Sequence, residues 1–456
     1  MEKIVIIGGV AAGPKAAAKA KRLKPDAEVS IYTDDTHVSY SACGLPFFIE
    51  GNFADYKMLI ARTPEKFEEQ GVRIHLRHRV TKIMPDKKQI VVLDLEKNEE
   101  KIVDYDKLVV ATGASPILPP IKNINLKNIF TLRTLEDGIA IKEKVLQSKT
   151  ATIVGGGYIG IELLEAFVKQ GLNVTLVEFA PHIMSIFDEE ISELIKGHIL
   201  SINSAQVQIV NSDAVTEFWG EDGGEVKGVK TRNGLEFETE LVIVATGVKP
   251  NVQLAVDAGI ELGKTGAIKV NHHMQTNIQD IYACGDCVEK VQIVSQTPTW
   301  IPLGSTANKE GRCAAMNLCG QKEAFDGILG SAVTRYSGLT MSITGLTEKQ
   351  AKALCFEPVS VMVTKEDKVG YMPKAKNITI KLIADKISRK LLGAQAIGCG
   401  DADKRVNTLA TGLLSGITAD AFLGSDITYA PPYSPSIDPL LTATQELVDK
   451  LNSSEW

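Results

Sequence analysis

The chain has 456 residues, 44% hydrophobic and 23% charged, enough apolar material for several cores and no compositional sign of disorder. Fifty Lys and Arg stand against 56 Asp and Glu, a formal net charge of -6 that excludes bulk attraction to nucleic acid or an anionic membrane. Seven cysteines at irregular spacings read as reduced cytoplasmic thiols, and apolar runs such as LVIVATGV fall far short of the roughly 20 residues that span a bilayer.

The opening KIVIIGGVAAG, followed by AAAKAKRLK, predicts strand, glycine-rich turn and helix, with Gly8, Gly9, Ala12 and Gly13 in the turn. Such a turn brings backbone close to a pyrophosphate and aims free helix N–H groups at it. The fingerprint departs from its usual form twice. Val10 holds the middle glycine position, and Thr33, beside Asp34, stands where an acidic ribose ligand is expected.

Next comes SYSACGLPFFIEG, in which Cys43 is a lone thiol among small residues. Gly44 and Leu45 are placed to open a helix whose dipole would lower the thiol pKa. No cysteine occurs between Gly44 and Ile60, so an oxidised Cys43 must be a mixed disulfide, a persulfide or a sulfenic acid. Packing is the bland alternative for this thiol.

A second strand–turn–helix begins at Ala151, TIVGGGYIGIELLEAFVKQGLNVTLVE, with Gly155, Gly157 and Gly160 in GxGxxG spacing and Tyr158, Ile159 and Glu162 opening the helix. Glu178 ends the following strand, where a carboxylate accepts from both ribose hydroxyls and repels a 2′-phosphate, favouring NADH over NADPH. Ala111-Thr112-Gly113 and Ala245-Thr246-Gly247 each follow an apolar strand and read as paired crossings between domains. From about Ser331, VTRYSGLTMSITGLT, NITIKLIAD and LLGAQAIG alternate in strand fashion, and a proline-rich tail, YAPPYSPSIDP, follows VNTLATGLLSGIT.

These motifs resemble the flavin-dependent pyridine nucleotide-disulfide oxidoreductases along the whole chain, in particular the coenzyme A disulfide reductases and NADH-dependent persulfide or polysulfide reductases. The resemblance implies an α/β protein: two doubly wound dinucleotide-binding domains and a C-terminal α+β dimerisation domain. The implied boundaries are an FAD-binding part at 1–112, an NAD-binding domain at 113–247, a return to the FAD domain at 248–325 and a dimerisation domain at 326–456, in a homodimer. FAD would lie against Gly8, Gly9, Ala12, Gly13, Thr33, Asp34, Ala111, Thr112 and Gly113, with Gly285 and Asp286 of DIYACGDC and Ala307 beside it. NADH would lie against Gly155, Gly157, Tyr158, Ile159, Gly160, Glu162, Glu178 and Gly247.

The resemblance also implies a substrate. Lys15, Lys19, Arg22, Ser39 and Asn308 match positions that hold coenzyme A, and cations there suit its phosphates. Lys21 belongs to the same run, whose alternative reading is an ordinary solvated helix face. Ala42 replaces the asparagine often found beside the cysteine. Tyr371, Tyr429 and Tyr433 match tyrosines that the partner subunit brings to the sulfur, and the sequence leaves open which of the last two does so. Oxygen- and peroxide-reducing relatives keep a histidine in the first loop, where this chain has Ala11, which moves no proton. The reading is therefore an NADH-dependent reductase of coenzyme A disulfide or persulfide. Oxidase, peroxidase or polysulfide reductase is the alternative, followed by a redox subunit of a larger complex. No rhodanese-like segment is recognised.

The CxxC of Cys284 and Cys287 flanks the implied flavin aspartate and has no second CxxC to complete a zinc site, so it reads as packing. Cys313, Cys319, Cys355 and Cys399 read as small buried hydrophobes, and His272 and His273, placed before a strand with no acidic partner, as non-ligands. No metal is expected.

Overall fold

The computed structural model describes residues 1–221 and 223–453. Its first sheet is parallel throughout, in the order Ile281–Ala283, Lys107–Val110, Lys3–Ile7, Glu28–Tyr32, Val72–His75. These strands are nearly continuous runs of Val, Ile and Leu because both faces of the sheet are covered. Helices Ala12–Leu23 and Gly304–Leu318 lie together on one face. They meet at backbone distance: a side chain at Gly311 would stand 2.3 Å from the Ala12 carbonyl oxygen. The other face packs on a three-stranded antiparallel sheet, His78–Met84, Gln89–Asp94 and Glu99–Asp104, through Val80, Ile83, Ile90 and Val92.

The second parallel sheet runs Val207–Val210, Asn173–Val177, Thr150–Val154, Leu241–Val244, Ile129–Phe130. Helix Tyr158–Lys169 follows its central strand as the glycine spacing predicts. The chain crosses between the two sheets twice, and the crossings pair with each other: Ala114–Pro116 runs antiparallel to Val248–Pro250. Thr112 and Asn251 reinforce the pair, each side chain donating to the other residue's carbonyl, at 2.7 and 2.8 Å.

The C-terminal sheet is antiparallel, Ala332–Tyr336, Leu339–Gly345, Leu391–Gly398, Asn377–Asp385, Pro358–Glu366, with helices Ala402–Leu414 and Pro439–Ser453 against it. Two features differ from the sequence reading. Asn377–Asp385 and Leu391–Gly398 are buried on both faces rather than half-solvated. Their second face looks onto the nucleotide-binding part of the chain, where Lys381 Nζ meets Asp188 (3.0 Å), Glu190 (2.5 Å) and Glu348 (3.1 Å) and Gln395 donates to Asp188. The proline-rich tail is followed by the helix Pro439–Ser453, begun by Asp438, which accepts from the Leu440 N–H and pairs with the buried Arg405.

Candidate active site

A single cleft of about 1970 Å³ runs between the two parallel sheets and reaches the C-terminal domain. Both glycine-rich turns lie on its wall. Gly8 (φ +112°) and Gly155 (φ +109°) take a conformation L side chains rarely adopt, and a Cβ there would fall 2.1 and 2.4 Å from the carbonyl oxygens of Ala111 and Ala245. Gly13 and Gly160 sit behind these turns rather than on the cleft wall. At Gly157 no atom stands within 4 Å of the missing Cβ, so the start of its helix faces open space. Bare backbone, helix start and open volume together fit a dinucleotide pyrophosphate.

The strand-end carboxylate Glu178 reaches the second turn, its two oxygens accepting from the N–H groups of Gly156 (2.5 Å) and Ala180 (2.7 Å). At the first turn Thr33 and Asp34 both line the cleft, Thr33 buried and Asp34 exposed and paired with Arg79 (3.1 Å). The neighbouring Asp35, unnoticed in the sequence, lines the cleft beside them. Its carboxyl is pushed up to about 6 by burial and by the charges of Asp34 and Glu136.

Cys43 lies between the two turns and is the only cysteine on the cleft wall among the described residues. It is exposed to the cleft in the short turn Ala42–Gly44, immediately before the helix Leu45–Glu50. Its sulfur is 4.0 Å from where a side chain would begin at Gly304, the first residue of helix Gly304–Leu318. The expected fall in thiol pKa is not found. The surrounding protein pushes Cys43 up, chiefly by desolvation and then by the charges of Glu162 and Asp286, with Arg133 opposing them. Desolvation of the thiol, with two carboxylates adding to it, prevails over any help from the six-residue helix.

Those groups are held in place. Asp286 accepts from Arg133 Nη2 at 3.0 Å, while its carbonyl accepts from the Trp300 indole at 2.7 Å. Arg133 precedes the capping box of Thr134 and Asp137, which fixes where it leaves the chain. Glu162 accepts from the hydroxyl of Thr334, a residue of the C-terminal sheet, at 2.9 Å; burial raises its pKa. The Tyr158 hydroxyl beside it is buried without a partner. Arg133 and Thr334 carry no motif, and only the fold brings them here.

Of the remaining expected residues, Gly9, Ala12, Ala111, Thr112, Gly113, Ile159, Gly247, Gly285 and Ala307 line the cleft, as do Lys15, Arg22, Ser39 and Asn308. Lys19 does not, although it shares a helix side with Lys15 and Arg22; it is half-buried. Lys21 is engaged elsewhere, donating to the Ala27 carbonyl at 2.7 Å. Arg62, overlooked in the sequence, joins Lys15 and Arg22 on the wall and lies over the Phe67 ring at 4.7 Å. Tyr371, Tyr429 and Tyr433 are 76%, 51% and 73% exposed, and none lines the cleft of its own chain.

Cys284 and Cys287 are fully buried free thiols. Cys313 is buried and Cys319 half-buried, but Cys355 and Cys399 are exposed, against expectation, because both sit in loops at the ends of elements. His272 has no acidic partner close in sequence, but the segment after Glu323 brings Asp326 to 3.8 Å from it. Among the described residues no group of three or more His, Cys, Asp or Glu is placed to hold a metal, and no helix is long and apolar enough to cross a membrane.

The comparisons with known proteins define the class. Residues 2–311 match the pyridine nucleotide-disulphide oxidoreductases and residues 331–440 match the dimerisation domain of the same proteins. The chain belongs to the pyridine nucleotide-disulphide oxidoreductase family, whose members use FAD and a nicotinamide nucleotide. It is 36% identical over 451 residues, 98% of each chain, to a Pyrococcus horikoshii NAD(P)H coenzyme A polysulfide/persulfide reductase. It is 32% identical to a Methanocaldococcus jannaschii NADH oxidase, covering 99% of this chain and all of that one. A NAD-dependent persulfide reductase from A. fulgidus superposes with a TM-score of 0.95 at 32% identity, covering 99% of this chain and 84% of the other.

Proposed function

We propose that the protein is an NADH-dependent reductase of coenzyme A disulfide or coenzyme A persulfide, acting through Cys43. The observation that carries the reading is the lone cleft thiol between two dinucleotide turns, with cationic Lys15 and Arg22 on the same wall. FAD at the first turn would supply the two-electron relay between NADH, held at the second, and sulfur.

The remaining steps belong to the chain's own groups. The Cys43 thiolate attacks one sulfur of coenzyme A disulfide, forming a Cys43–S–S–CoA bond and expelling coenzyme A thiolate. Two electrons then cleave that mixed disulfide, returning Cys43 thiolate and a second coenzyme A thiolate. In sum, NADH, one proton and the disulfide give NAD⁺ and two thiols. With coenzyme A persulfide, attack on the outer sulfur leaves Cys43 persulfide and coenzyme A, and reduction releases sulfide. Lys15 and Arg22 neutralise phosphates, Ser39 and Asn308 supply polar contacts, and Arg133 favours the thiolate against Glu162 and Asp286. Lys19 lies off the wall and is assigned no contact. The exposure of Tyr371, Tyr429 and Tyr433 accords with a role across the dimer, where a tyrosine hydroxyl would donate to the departing thiolate. We assign the protein to the cytoplasm, where its cysteines stay reduced.

The test is intact mass under non-reducing conditions. One dithiothreitol-labile coenzyme A per chain, absent in Cys43→Ser, is the expected result. The Methanocaldococcus relative favours a second reading, oxygen reduction. Oxygen consumption far more efficient than disulfide reduction, with Cys43 found bare or as sulfenic acid, would establish it instead.

A further inference from the structure

The adenosine end of the second nucleotide site carries a feature that Glu178 does not explain. Phe179, the next residue, is an aromatic 68% exposed at the lip of the cleft. The Arg232 guanidinium lies over its ring, 5.4 Å from the centroid. Arg232 comes from a different element, the turn after strand Val226–Thr231, and backbone hydrogen bonds fix its place. Its N–H donates to the Ala214 carbonyl at 2.8 Å, while the N–H groups of Ser212 and Asp213 donate to the carbonyls of Ala180 (3.0 Å) and Glu178 (3.2 Å). The segment 212–214 thus ties Arg232 directly to the end of the Glu178 strand. Its only side-chain hydrogen bond among the described residues is a long one, 3.4 Å from Nη2 to the Ser212 carbonyl; no carboxylate stands within ion-pair distance, though its charge helps to hold the Asp213 carboxyl below its usual range.

We infer that Arg232, held by stacking on Phe179, is a specificity-determining residue that lets this site accept a 2′-phosphorylated nicotinamide nucleotide beside Glu178, so that the protein takes NADPH as well as NADH. A guanidinium held over an aromatic ring by its charge still has N–H groups to offer a phosphate. Glu178 alone would repel that phosphate. However, both its oxygens are already engaged by backbone N–H groups, and Arg232 lies over the ring of the next residue. The exposed Phe179 thereby gains a purpose as the platform that orders an otherwise mobile arginine. This inference rests on the reading of the Gly155–Gly160 turn as the nicotinamide nucleotide site.

The experiment is equilibrium titration of the FAD-loaded protein with NAD⁺, NADP⁺, 5′-AMP and 2′,5′-ADP, for wild type, Arg232→Glu and Arg232→Lys. We expect Arg232→Glu to weaken NADP⁺ and 2′,5′-ADP at least tenfold while NAD⁺ and 5′-AMP change less than twofold, with Arg232→Lys intermediate. Unchanged NADP⁺ affinity, or equal weakening of both members of each pair, overturns the role of Arg232. Failure of the wild type to bind NAD⁺ or 5′-AMP overturns the reading of the turn itself. Circular dichroism separates either result from misfolding.

Discussion

Two stretches of the molecule carry cysteine beside glycine and an acidic or polar neighbour, and the fold treats them in opposite ways. The CxxC of Cys284 and Cys287 has the more suggestive spacing, yet both sulfurs are fully buried and free, with Cys287 donating to the carbonyls of Val110 and Cys284. Burial pushes both thiols up, away from the reactive thiolate. Cys43 has no motif of its own, but it stands open to the cleft between the two turns. Access and surroundings, rather than cysteine spacing, decide which sulfur does chemistry.

The sharpest way to break this comparison is to exchange the two roles. Cys43→Ser should lower sulfur reduction by about three orders of magnitude or more, as for loss of a covalent nucleophile, while NADH still bleaches the flavin. Turnover retained in this variant, measured by NADH consumption with coenzyme A disulfide, would show that another thiol serves.

The surroundings of the buried pair give the next effect. Glu310 is fully buried, accepts from the Gly285 N–H at 2.7 Å and sits 3.6 Å from Lys290 Nζ, and burial pushes its carboxyl up to about 7. Its folded pKa lies above the unfolded 4.5, so the folded state holds the proton more tightly between those values. The stabilising contribution is full below about pH 4.5 and is lost as pH rises through about 7, amounting to about 3 kcal/mol at most. Denaturant unfolding of Glu310→Gln should show a flatter stability profile across that window than wild type. An unchanged slope would mean that Glu310 is ionised throughout.

Cys287→Ala should keep turnover per folded molecule and cost about 1–2 kcal/mol of stability from the cavity it leaves. Loss of activity without loss of stability would place this sulfur in the chemistry after all. The smallest expected effect is electrostatic. Glu162→Gln removes the leading charge that raises Cys43, so the midpoint of its alkylation rate should move down by a few tenths of a pH unit. Arg133→Met should move it up. A shift of the opposite sign in either variant would contradict the charge balance described for the thiol.

What the sequence disclosed and what it withheld divide along a physical line. The glycine turns, Glu178 and the crossings at Thr112 and Gly247 were legible because each requirement is local: a positive φ, a close carbonyl, a strand end. Helical phase groups Lys19 with Lys15 and Arg22, so its absence from the wall is set by the packing around the helix and not by its spacing. Arg133, Thr334 and Arg232 were not legible, since each reaches its place only through tertiary contacts between elements distant in sequence; Asp35 was passed over although it stands one residue beyond Asp34 at the same strand end. The same is true of the two-faced burial of Asn377–Asp385, whose alternation suggested a solvated side until Lys381 and its three carboxylates appeared behind it. The rise in the Cys43 pKa likewise comes from burial by the assembled fold and then from carboxylates far away in the chain.

The edge strand Ile281–Ala283 completes the first sheet beside Lys107–Val110, although the whole second sheet intervenes between them in the chain. A ribosome making the protein therefore delivers the inserted domain before the last strand of the domain that surrounds it. At translation rates of about 5–20 residues per second, the wait is on the order of ten seconds or more. The unfinished edge offers unpaired N–H and C=O groups for that interval. The inserted domain, by contrast, is free to fold as soon as its own strands have emerged. The order of assembly is thus inside out, and the nascent protein is most exposed to mispairing at the edge where Val109 and Val110 await Tyr282 and Ala283.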